Sequence, residues 1–482
     1  MKECLRPSLL THILITWLCL AAAKVTAATD EAATTPAPAA TAPDTGWSER
    51  VKNFLMRDYM LGDWNGWRTN LSQRGIDFEF FYAGGVPSNV SGGIKQGSVY
   101  EGIFLMTMDL HSDKLLDYEG GQFHVGSLWV HNGRSFSPNF IGDLNVVSLL
   151  DFKDTFRLWE LWYQQQFFNG RFTVKLGQMA IDRDFILPEL SGTIGSFSFL
   201  NQTFFYPTLA FDIYDIAGFP RGSHALASTP YGTPGALVRW DPTPAFYAQA
   251  AVYDGNPDRS YSGTRINLNE DEGALAYFEL GYRLNPGKNP AGMPGVYKVG
   301  AYYHTDDFID VSAGTENFIN EAVGLPGTDP RTHSGNYGVY LLAEQMLFRE
   351  QAPDDPARQG LVGFFRTAAA PPDRNLAEFE IDGGLVYTGL IPTRDYDTIG
   401  LGASYLRISD DIRKSVSRAN NAFGLGLALP DSESVIEISY KAQLTAWWTV
   451  QPSFQWVIHP GGRASADIPD ALAVLVMTTL RL

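Results

Sequence analysis

Residues 437–462 read EISYKAQLTAWWTVQPSFQWVIHPGG. From Trp448 to Ile458 every second residue is apolar or aromatic, and the residues between them are mostly polar. Successive side chains of a β-strand point to opposite faces, so this alternation predicts a strand with one apolar aromatic face and one polar face. The residues before the turn repeat the pattern, with Glu437 and Lys441 on the polar face.

The same alternation returns along the chain after Gly62 and predicts sixteen strands. Several of them are nine residues or longer. A tilted strand needs about 9–11 residues to cross a bilayer, whereas strands of soluble proteins are typically about 5–6 residues long. Tight turns and long loops alternate between the strands, which is typical of outer-membrane barrels with an even strand count. The predicted strands are near 76–83, 101–110, 122–131, 156–168, 171–178, 235–241, 245–253, 274–284, 295–304, 336–347, 359–367, 377–388, 397–407, 433–444, 448–459 and 471–482.

The two faces distinguish a membrane barrel from a soluble β-sandwich. A sandwich fills a dry core with its inner faces, whereas a membrane barrel turns an apolar, aromatic face to lipid and a polar face to a wet lumen. Backbone N–H and C=O groups in hydrocarbon must all bond within the protein, so a sheet there has to close on itself. We therefore expect an all-β fold, a transmembrane antiparallel barrel of sixteen strands over residues 61–482.

The first sixty residues predict export and a short connection to the barrel. Residues 1–27 have a basic start, an apolar middle and small residues at the end, which is the layout of a cleaved secretory signal peptide. Residues 28–46 are rich in Ala, Thr and Pro and predict a flexible segment. Residues 47–60 have apolar side chains at helical spacing and predict a short amphipathic helix. Both cysteines, Cys4 and Cys19, lie in the signal, so the exported chain has no disulfide.

Composition and motifs exclude several classes of function. The chain carries 36 Lys and Arg against 53 Asp and Glu, a formal net charge of −17, which disfavours binding to nucleic acid. It contains no His-Glu-x-x-His, no Gly-x-Ser-x-Gly, no P-loop and no dinucleotide-binding fingerprint after a strand. We therefore predict a protein that is not an enzyme, with no catalytic residue, no cofactor and no metal site. A secreted β-rich carbohydrate-binding protein or glycosidase is the alternative from another class.

Four composite motifs resemble the carbohydrate-selective porins of the OprB family. They are LGDWNGWRTNLSQRGIDFEFFY (61–82), NGRSFSPNFIGDLNVVS (132–148), LWELWYQQQFFNGRFTVKLGQMAIDRDF (158–185) and SYKAQLTAWWTVQPSFQWVIHPGG (439–462). The resemblance implies a sixteen-stranded barrel of outer-membrane porin type, loops that fold into the lumen as a narrow eyelet, and passive uptake of glucose and related sugars. A general porin with little sugar preference is the alternative within this fold. The chain departs from the pattern at Leu482, because such barrels usually end on an aromatic residue that the assembly machinery reads.

A sugar-selective pore needs charged and polar groups that replace the water around hydroxyls, and aromatic faces that cover the C–H side of the ring. Binding must stay weak enough for release. Opposite charges close together in a lumen favour neutral, hydroxyl-rich solutes, although each charge could equally be a solvated loop residue or a salt bridge. Trp129 and Trp159 are candidates for sugar stacking, with a lipid-facing anchor as the alternative. The predicted eyelet residues are Arg134, Asp143, Arg157, Glu160, Asp182, Arg183 and Asp184.

The long segment 179–234 is too aromatic to be a solvated loop, so we expect it to fold into or over the barrel mouth. The expected location is the bacterial outer membrane. The expected partners are outer-membrane lipid, small sugars, and the barrel assembly machinery, which would engage the C-terminal strand. Both a monomeric barrel and a homo-oligomer fit the sequence.

Overall fold

A computed structural model describes most of the chain from Trp47 onward. The signal and flexible segments expected at 1–27 and 28–46, and the eyelet candidate Arg134, lie outside the described residues. The barrel lies wholly within the compact unit Phe54–Leu482. Among the described residues, no helix is long and apolar enough to cross a membrane. The described residues are 47–133, 135–192, 197–205, 207, 229–256, 262–264, 273–287, 292–322, 326–327, 329–350, 359–463 and 468–482.

Sixteen antiparallel strands form one closed sheet, as predicted. Each strand pairs with its neighbours in the chain, and the first pairs with the last over Phe81–Ser91 and Leu472–Arg481, so the sheet has no free edge. A further two-residue strand, Gly97–Ser98, adds to the end of the first strand. The strands are β1 Ile76–Ser91, β2 Glu101–His111, β3 Gly121–Val130, β4 Thr155–Phe167, β5 Phe172–Met179, β6 Thr233–Thr243, β7 Phe246–Asp254, β8 Ala274–Leu284, β9 Gly295–Ile309, β10 Thr332–Arg349, β11 Gly360–Ala369, β12 Ala377–Thr388, β13 Thr398–Ile408, β14 Ser432–Thr445, β15 Trp448–Ile458 and β16 Ala471–Arg481.

The strand faces follow the alternation in the sequence. On β14 and β15 the side chains of Ile438, Phe454 and Trp456 are exposed on the outer wall, whereas those of Glu437 and Gln455 are fully buried inside. An apolar outer wall is solvated by lipid, and the polar side chains face a lumen. The prediction for the opening stretch of sequence is therefore confirmed.

In the described ranges, the helices lie before the first strand or in the connections between strands. The helix expected over 47–60 covers Trp47–Leu55. The α-helices are α1 Trp47–Leu55, α2 Trp67–Gln73, α3 Ser112–Leu116, α4 Ala313–Ala322 and α5 Asp410–Phe423, with 3₁₀ turns at Trp64–Gly66, Ile181–Arg183, Gln202–Phe204 and Pro460–Arg463 and a π-helical turn at Ser137–Ile141. The Ser409 side chain accepts hydrogen bonds from the first turn of α5, which fixes where that helix begins.

Long and short connections lie at opposite rims of the barrel. The connections after even-numbered strands, such as 168–171 between β4 and β5, have at most ten residues, and we call their end the short-turn rim. The connections after odd-numbered strands include the longest ones, and we call their end the long-loop rim. Residues that narrow the lumen can therefore enter from the long-loop rim.

Two long connections do fold into the barrel. We call residues 131–154 the first inserted loop and residues 180–205 the second inserted loop. Phe136, Ile141 and Val147 of the first pack against the inner wall, in a cluster that includes Val435 and Val457. The second inserted loop contributes Ile181, Phe185 and Ile186 to a cluster with wall residues such as Tyr277. Apolar side chains of these loops are thus buried against apolar wall residues inside the barrel.

Arg68 joins the start of the barrel to the end of the chain. Its guanidinium carbon lies 3.7 Å from the centroid of the Tyr59 ring and 4.5 Å from that of Trp64. One of its nitrogens donates to the backbone oxygen of Leu482 at 2.7 Å. The Leu482 N–H in turn donates to the backbone oxygen of Phe80 at 2.8 Å. The backbone of Leu482 is therefore held by two hydrogen bonds, which do not require an aromatic side chain at that position.

Replacing Arg68 by Gln should lower the stability of the folded barrel, because the cation–π contacts and the bond to Leu482 are lost together. We expect a loss of about 1–2 kcal/mol, seen as a lower temperature for the heat-induced gel shift of the detergent-solubilised protein. The matched control is Arg171→Gln, since Arg171 is exposed in the turn between β4 and β5. Equal transition temperatures for the two variants would contradict this role of Arg68.

Candidate functional site

Buried carboxylates on the barrel wall accept hydrogen bonds from backbone N–H groups of the inserted loops and hold the loops in place. The lumen-facing Glu344 on β10 accepts from the N–H groups of Glu189 (2.7 Å) and Ser191 (2.7 Å), and from the Ser191 hydroxyl (2.6 Å). The Leu190 N–H points at the same carboxylate, 3.1 Å from Oε1. Hydrogen bonds to an ionised group are about twice as strong as neutral ones. One wall residue thus fixes three consecutive residues of the second inserted loop.

The same device recurs on β14. Glu437 accepts from the N–H groups of Leu200 (2.7 Å) and Asn201 (2.9 Å) of the second inserted loop. Glu433 accepts from the N–H groups of Leu144 (2.8 Å) and Asn145 (2.8 Å) of the first inserted loop. Both loops are therefore attached to the wall at defined points. We call Glu344, Glu433 and Glu437 the loop clamps.

The inserted loops fill one side of the lumen and leave the other side open. Six lumen-facing charged residues on β10–β14 have 3% of their surface exposed or less, and Lys441 has 8%; the six are Glu344, Arg366, Glu380, Asp382, Glu433 and Glu437. On the opposite side, six charged side chains keep between 17% and 28% exposure; they are Arg183, Asp184, Glu189, Arg239, Asp241 and Arg283. The solvent path therefore runs along β4–β9.

Opposite charges alternate along this open side. Lys175 pairs with Asp184 at 2.8 Å, and Arg183 lies 3.5 Å from Glu160. Two further ion pairs, both with the guanidinium in a two-pronged contact, continue the row: Arg239 with Asp241 and Arg283 with Glu189. Lys298 pairs with Glu189 at 2.9 Å. We call these residues the charged strip: Glu160, Lys175, Arg183, Asp184, Glu189, Arg239, Asp241, Arg283 and Lys298.

Charge pairing sets the protonation state of Glu189. Arg283 and Lys298 stabilise the carboxylate of Glu189 in the inserted loop, and although burial opposes them, the pKa of Glu189 is lowered to about 2. Glu189 is therefore an ionised acceptor for hydrogen bonds at neutral pH. The strip offers fixed donors and fixed acceptors side by side.

Three of the eyelet residues predicted from the sequence, Glu160, Arg183 and Asp184, belong to the charged strip. Asp182 is instead buried, and its carboxylate accepts from the Thr229 N–H (3.0 Å) and hydroxyl (2.5 Å). Burial raises the pKa of Asp182 to about 6. Asp182 therefore links the second inserted loop to Thr229, near the end of the connection between β5 and β6.

The other two described candidates are also buried. The guanidinium of Arg157 on β4 lies 4.6 Å from the centroid of the Tyr231 ring. Asp143 is buried in the first inserted loop near Asp151. Arg157 therefore contacts the connection between β5 and β6, and Asp143 lies inside the first inserted loop. Neither residue belongs to the charged strip.

The two tryptophan candidates point away from the solvent path. Trp129 lies on the outer face with 46% of its surface exposed, which is the lipid-facing alternative. Trp159 is 3% exposed, because β4 carries an extra, unpaired residue there that turns the ring off the regular face. It packs with Leu128 and Phe152 under Arg183, whose guanidinium is 5.1 Å from its ring centroid.

Known proteins with this architecture are membrane channels. The sequence matches the family model described as "Carbohydrate-selective porin, OprB family" over residues 95–482. The chain belongs to this family. It is 27% identical to Porin B of Pseudomonas aeruginosa over 443 residues, which covers 87% of this chain and 91% of that protein. It is 22% identical to the putative porin QuiX of Acinetobacter baylyi over 433 residues, or 85% and 90% of the two chains.

Comparison of the fold with solved structures agrees with this family membership. The high-pH structure of Pseudomonas putida OprB has a TM-score of 0.74 at 24% identity and covers 89% of this chain and 99% of that one. Its low-pH structure has a TM-score of 0.54 at 19% identity over the same shares. The chain is thus an outer-membrane porin of the carbohydrate-selective OprB family, in contact with lipid outside and solute inside, and it is a channel and not an enzyme.

Six strip residues of this OprB-family porin were not among the site residues predicted from the sequence: the carboxylates Glu189 and Asp241 and four cations. Lys175, Arg283 and Lys298 occupy polar positions of strands whose alternation is plain, and Arg239 lies on β6. The signal that could have identified them is a cation at a lumen position on neighbouring strands. Such cations also occur where the lumen is filled, as at Arg366, so the pattern marks the inner face and not the open path.

The packing of the first inserted loop in the porin should depend on pH. Burial, with the neighbouring charge of Asp151, raises the pKa of Asp143 to about 7, and burial raises that of Asp151 to about 6. Free Asp titrates near 3.9, so the packed loop binds more protons than the released loop between about pH 4 and 7. Its packing is therefore most stable at the acid end of this window and weakens as the pH rises through 7.

Hydrogen exchange, corrected for the intrinsic rate, should thus show less protection of residues 137–150 at pH 8 than at pH 5. The variant Asp143→Asn should lose part of this difference, because the amide stays neutral throughout while Asp151 still titrates near pH 6. A variant with the full pH dependence of the parent protein would contradict the assignment to Asp143.

Proposed function

We propose that this porin passes neutral sugars such as glucose along the charged strip, with the two inserted loops as its eyelet. The observation that carries the proposal is the alternation of half-exposed guanidinium and carboxylate groups on the open side of the lumen. A sugar hydroxyl can donate to a carboxylate and accept from a guanidinium at the same time. Neighbouring hydroxyls of one ring can therefore replace their water with adjacent strip residues.

The pairing of the strip also explains selection against ions. Each carboxylate of the strip has a cation within 4 Å, so a bare ion meets nearly balanced charge and gains little for its lost hydration. A neutral polyol gives up weaker hydration and regains hydrogen bonds. Because a sugar exchanges its hydrogen-bond partners one at a time along the strip, it can move through the lumen.

The buried members of the predicted site have a supporting role in this proposal. Asp182 and Arg157 fix the second inserted loop and its connection, and Asp143 lies in the first. Arg134 stays an eyelet candidate in the same loop as Asp143. Glu160, Lys175 and Lys298 are buried ion-pair partners within the strip. The side chains that face solute are then the partly exposed ones, Arg183, Asp184, Glu189, Arg239, Asp241 and Arg283.

A general porin with little sugar preference is the second candidate, since it shares the fold. Liposome swelling separates the two: the purified porin is reconstituted, and swelling rates are compared for glucose and for an uncharged amino acid of similar size. We expect faster swelling with glucose. Equal rates would support the general porin and contradict selection by the strip.

Export and assembly complete the proposal. We infer that residues 1–27 are a signal peptide that is removed on export, followed by a flexible segment at 28–46. We also infer that the assembly machinery engages the C-terminal strand β16 and that the finished barrels are either monomers or homo-oligomers. N-terminal sequencing of the mature protein tests the first inference, because an intact Met1 would contradict it.

A further inference from the structure

Tyr247 on β7 has an unusual place in the inner wall. Its ring is 1% exposed, although it lies on the lumen side of the sheet. It faces Gly281 on β8, and a Cβ added to that glycine would lie 2.0 Å from a ring carbon. The ring therefore lies flat on the backbone of β8, in the gap between Glu279 and Arg283, and only glycine at position 281 leaves room for it.

Hydrogen bonds fix the Tyr247 ring in this gap. Its hydroxyl donates to the carboxylate of Glu279 at 2.8 Å. The same carboxylate accepts from the Tyr340 hydroxyl at 2.9 Å, from Gln249 at 3.0 Å and from the Ile186 N–H of the second inserted loop at 2.9 Å. A buried carboxylate with four donors is a rigid anchor.

Cations of the charged strip cover the other face of the ring. The guanidinium carbon of Arg239 lies 3.8 Å from the ring centroid and that of Arg283 lies 4.8 Å from it. The ammonium of Lys298 is 5.9 Å away. Cations are attracted to an aromatic face. One tyrosine ring thus touches cations from three strands, β6, β8 and β9.

We propose that Tyr247 is a positioning residue for the sugar path: its buried ring is the platform that holds the guanidinium groups of Arg239 and Arg283 at fixed places in the charged strip. This inference rests on the proposed function, because it assigns the residue that sets the geometry of the sugar-facing donors. Without the ring, each long side chain keeps its ion pair to Asp241 or Glu189, but both pairs gain freedom to swing in the lumen. Donors at variable spacing then bind neighbouring sugar hydroxyls less well.

The test is sugar block of single channels in a planar bilayer, with glucose as the probe. Tyr247→Leu should weaken the apparent affinity for glucose roughly tenfold. Tyr247→Phe keeps the platform and loses only one of the four donors to Glu279, so it should stay within roughly twofold of the parent porin.

Tyr340 offers a matched control. It also lies over a glycine, since a Cβ on Gly300 would be 2.2 Å from its ring, and it donates to the same Glu279. Among the described residues, no cation contact is recorded over the ring of Tyr340. The variant Tyr340→Leu should therefore keep glucose block close to that of the parent porin.

Equal losses in Tyr247→Leu and Tyr340→Leu would overturn the inference, because general packing would then explain both. Unchanged block in Tyr247→Leu would also overturn it. Should Tyr247→Leu fail to insert, Tyr247→Phe decides: loss of block despite the retained ring contradicts the platform, and retained block supports it. A parent porin that glucose does not block at all is a failure of the proposed function instead.

Discussion

Replacing the loop clamps Glu344 and Glu437 by Gln together should produce a wider and noisier channel. A Gln side chain offers one oxygen and one N–H₂ group where the wall now offers two carboxylate oxygens. At Glu344 the N–H₂ group would face backbone N–H groups of residues 189–191, which are donors as well. Each lost bond to a charged acceptor removes about 1.5–3 kcal/mol of stabilisation. The second inserted loop should then leave the wall for part of the time.

Single-channel recordings of the double variant should show a larger mean conductance and more open-channel noise than the parent porin. The barrel itself should survive, because its strand ladder is untouched, and heat modifiability on gels checks this. Glu316→Gln is a suitable control, since Glu316 lies on α4 with 40% of its side chain exposed, and its contacts with Ser312, Arg331 and Arg418 lie at the long-loop rim. Unchanged conductance in the double variant would contradict the role of these glutamates in narrowing the lumen.

Removing Arg283 should give the largest loss of sugar binding from a single substitution. Its guanidinium is half-exposed on the strip, donates to both oxygens of Glu189 at 2.7 and 3.0 Å, and lies over the ring of Tyr247. In Arg283→Ala the strip loses a donor and Glu189 keeps only Lys298 as a cation partner. A hydrogen bond to a charged group is worth about 1.5–3 kcal/mol, so the affinity for glucose should fall roughly tenfold to a hundredfold.

Glucose block of channel current measures this effect. Arg283→Lys, which keeps the charge and loses the planar two-pronged contact, should lie between the parent porin and Arg283→Ala. Arg418→Ala at the rim should leave glucose block unchanged. If Arg418→Ala weakened glucose block as much as Arg283→Ala, general charge at the entrance would explain the result better than the strip.

The strands could be predicted from the sequence because their signal is local. In a strand the side chains alternate strictly, so 448–458 alone shows which residues face lipid and which face inward. Closure and strand number then follow from the requirement that backbone groups in hydrocarbon bond within the protein. The same reasoning correctly placed Glu437 and Lys441 on the inner face.

The open path could not be predicted in this way, because it depends on contacts between residues far apart in the chain. Glu437 and Arg283 are alike in the pattern, yet Glu437 is covered by Leu200 and Asn201, whereas Arg283 keeps 26% of its side chain exposed beside Glu189 on the open side. Which of them meets solute is decided by where residues 180–205 pack. Selecting charges from the loops identified Arg183 and Asp184 but passed over the cations on strands β6–β9.

The most direct test of the channel and its selectivity is the current through the purified porin in a planar bilayer while glucose is added. We expect discrete channels whose current glucose reduces in a saturable way, while an uncharged solute of similar size without the hydroxyls reduces it far less. Equal reduction by both solutes, or a membrane that stays impermeable after the folded protein has inserted, would contradict a wet lumen lined by a sugar-selecting strip.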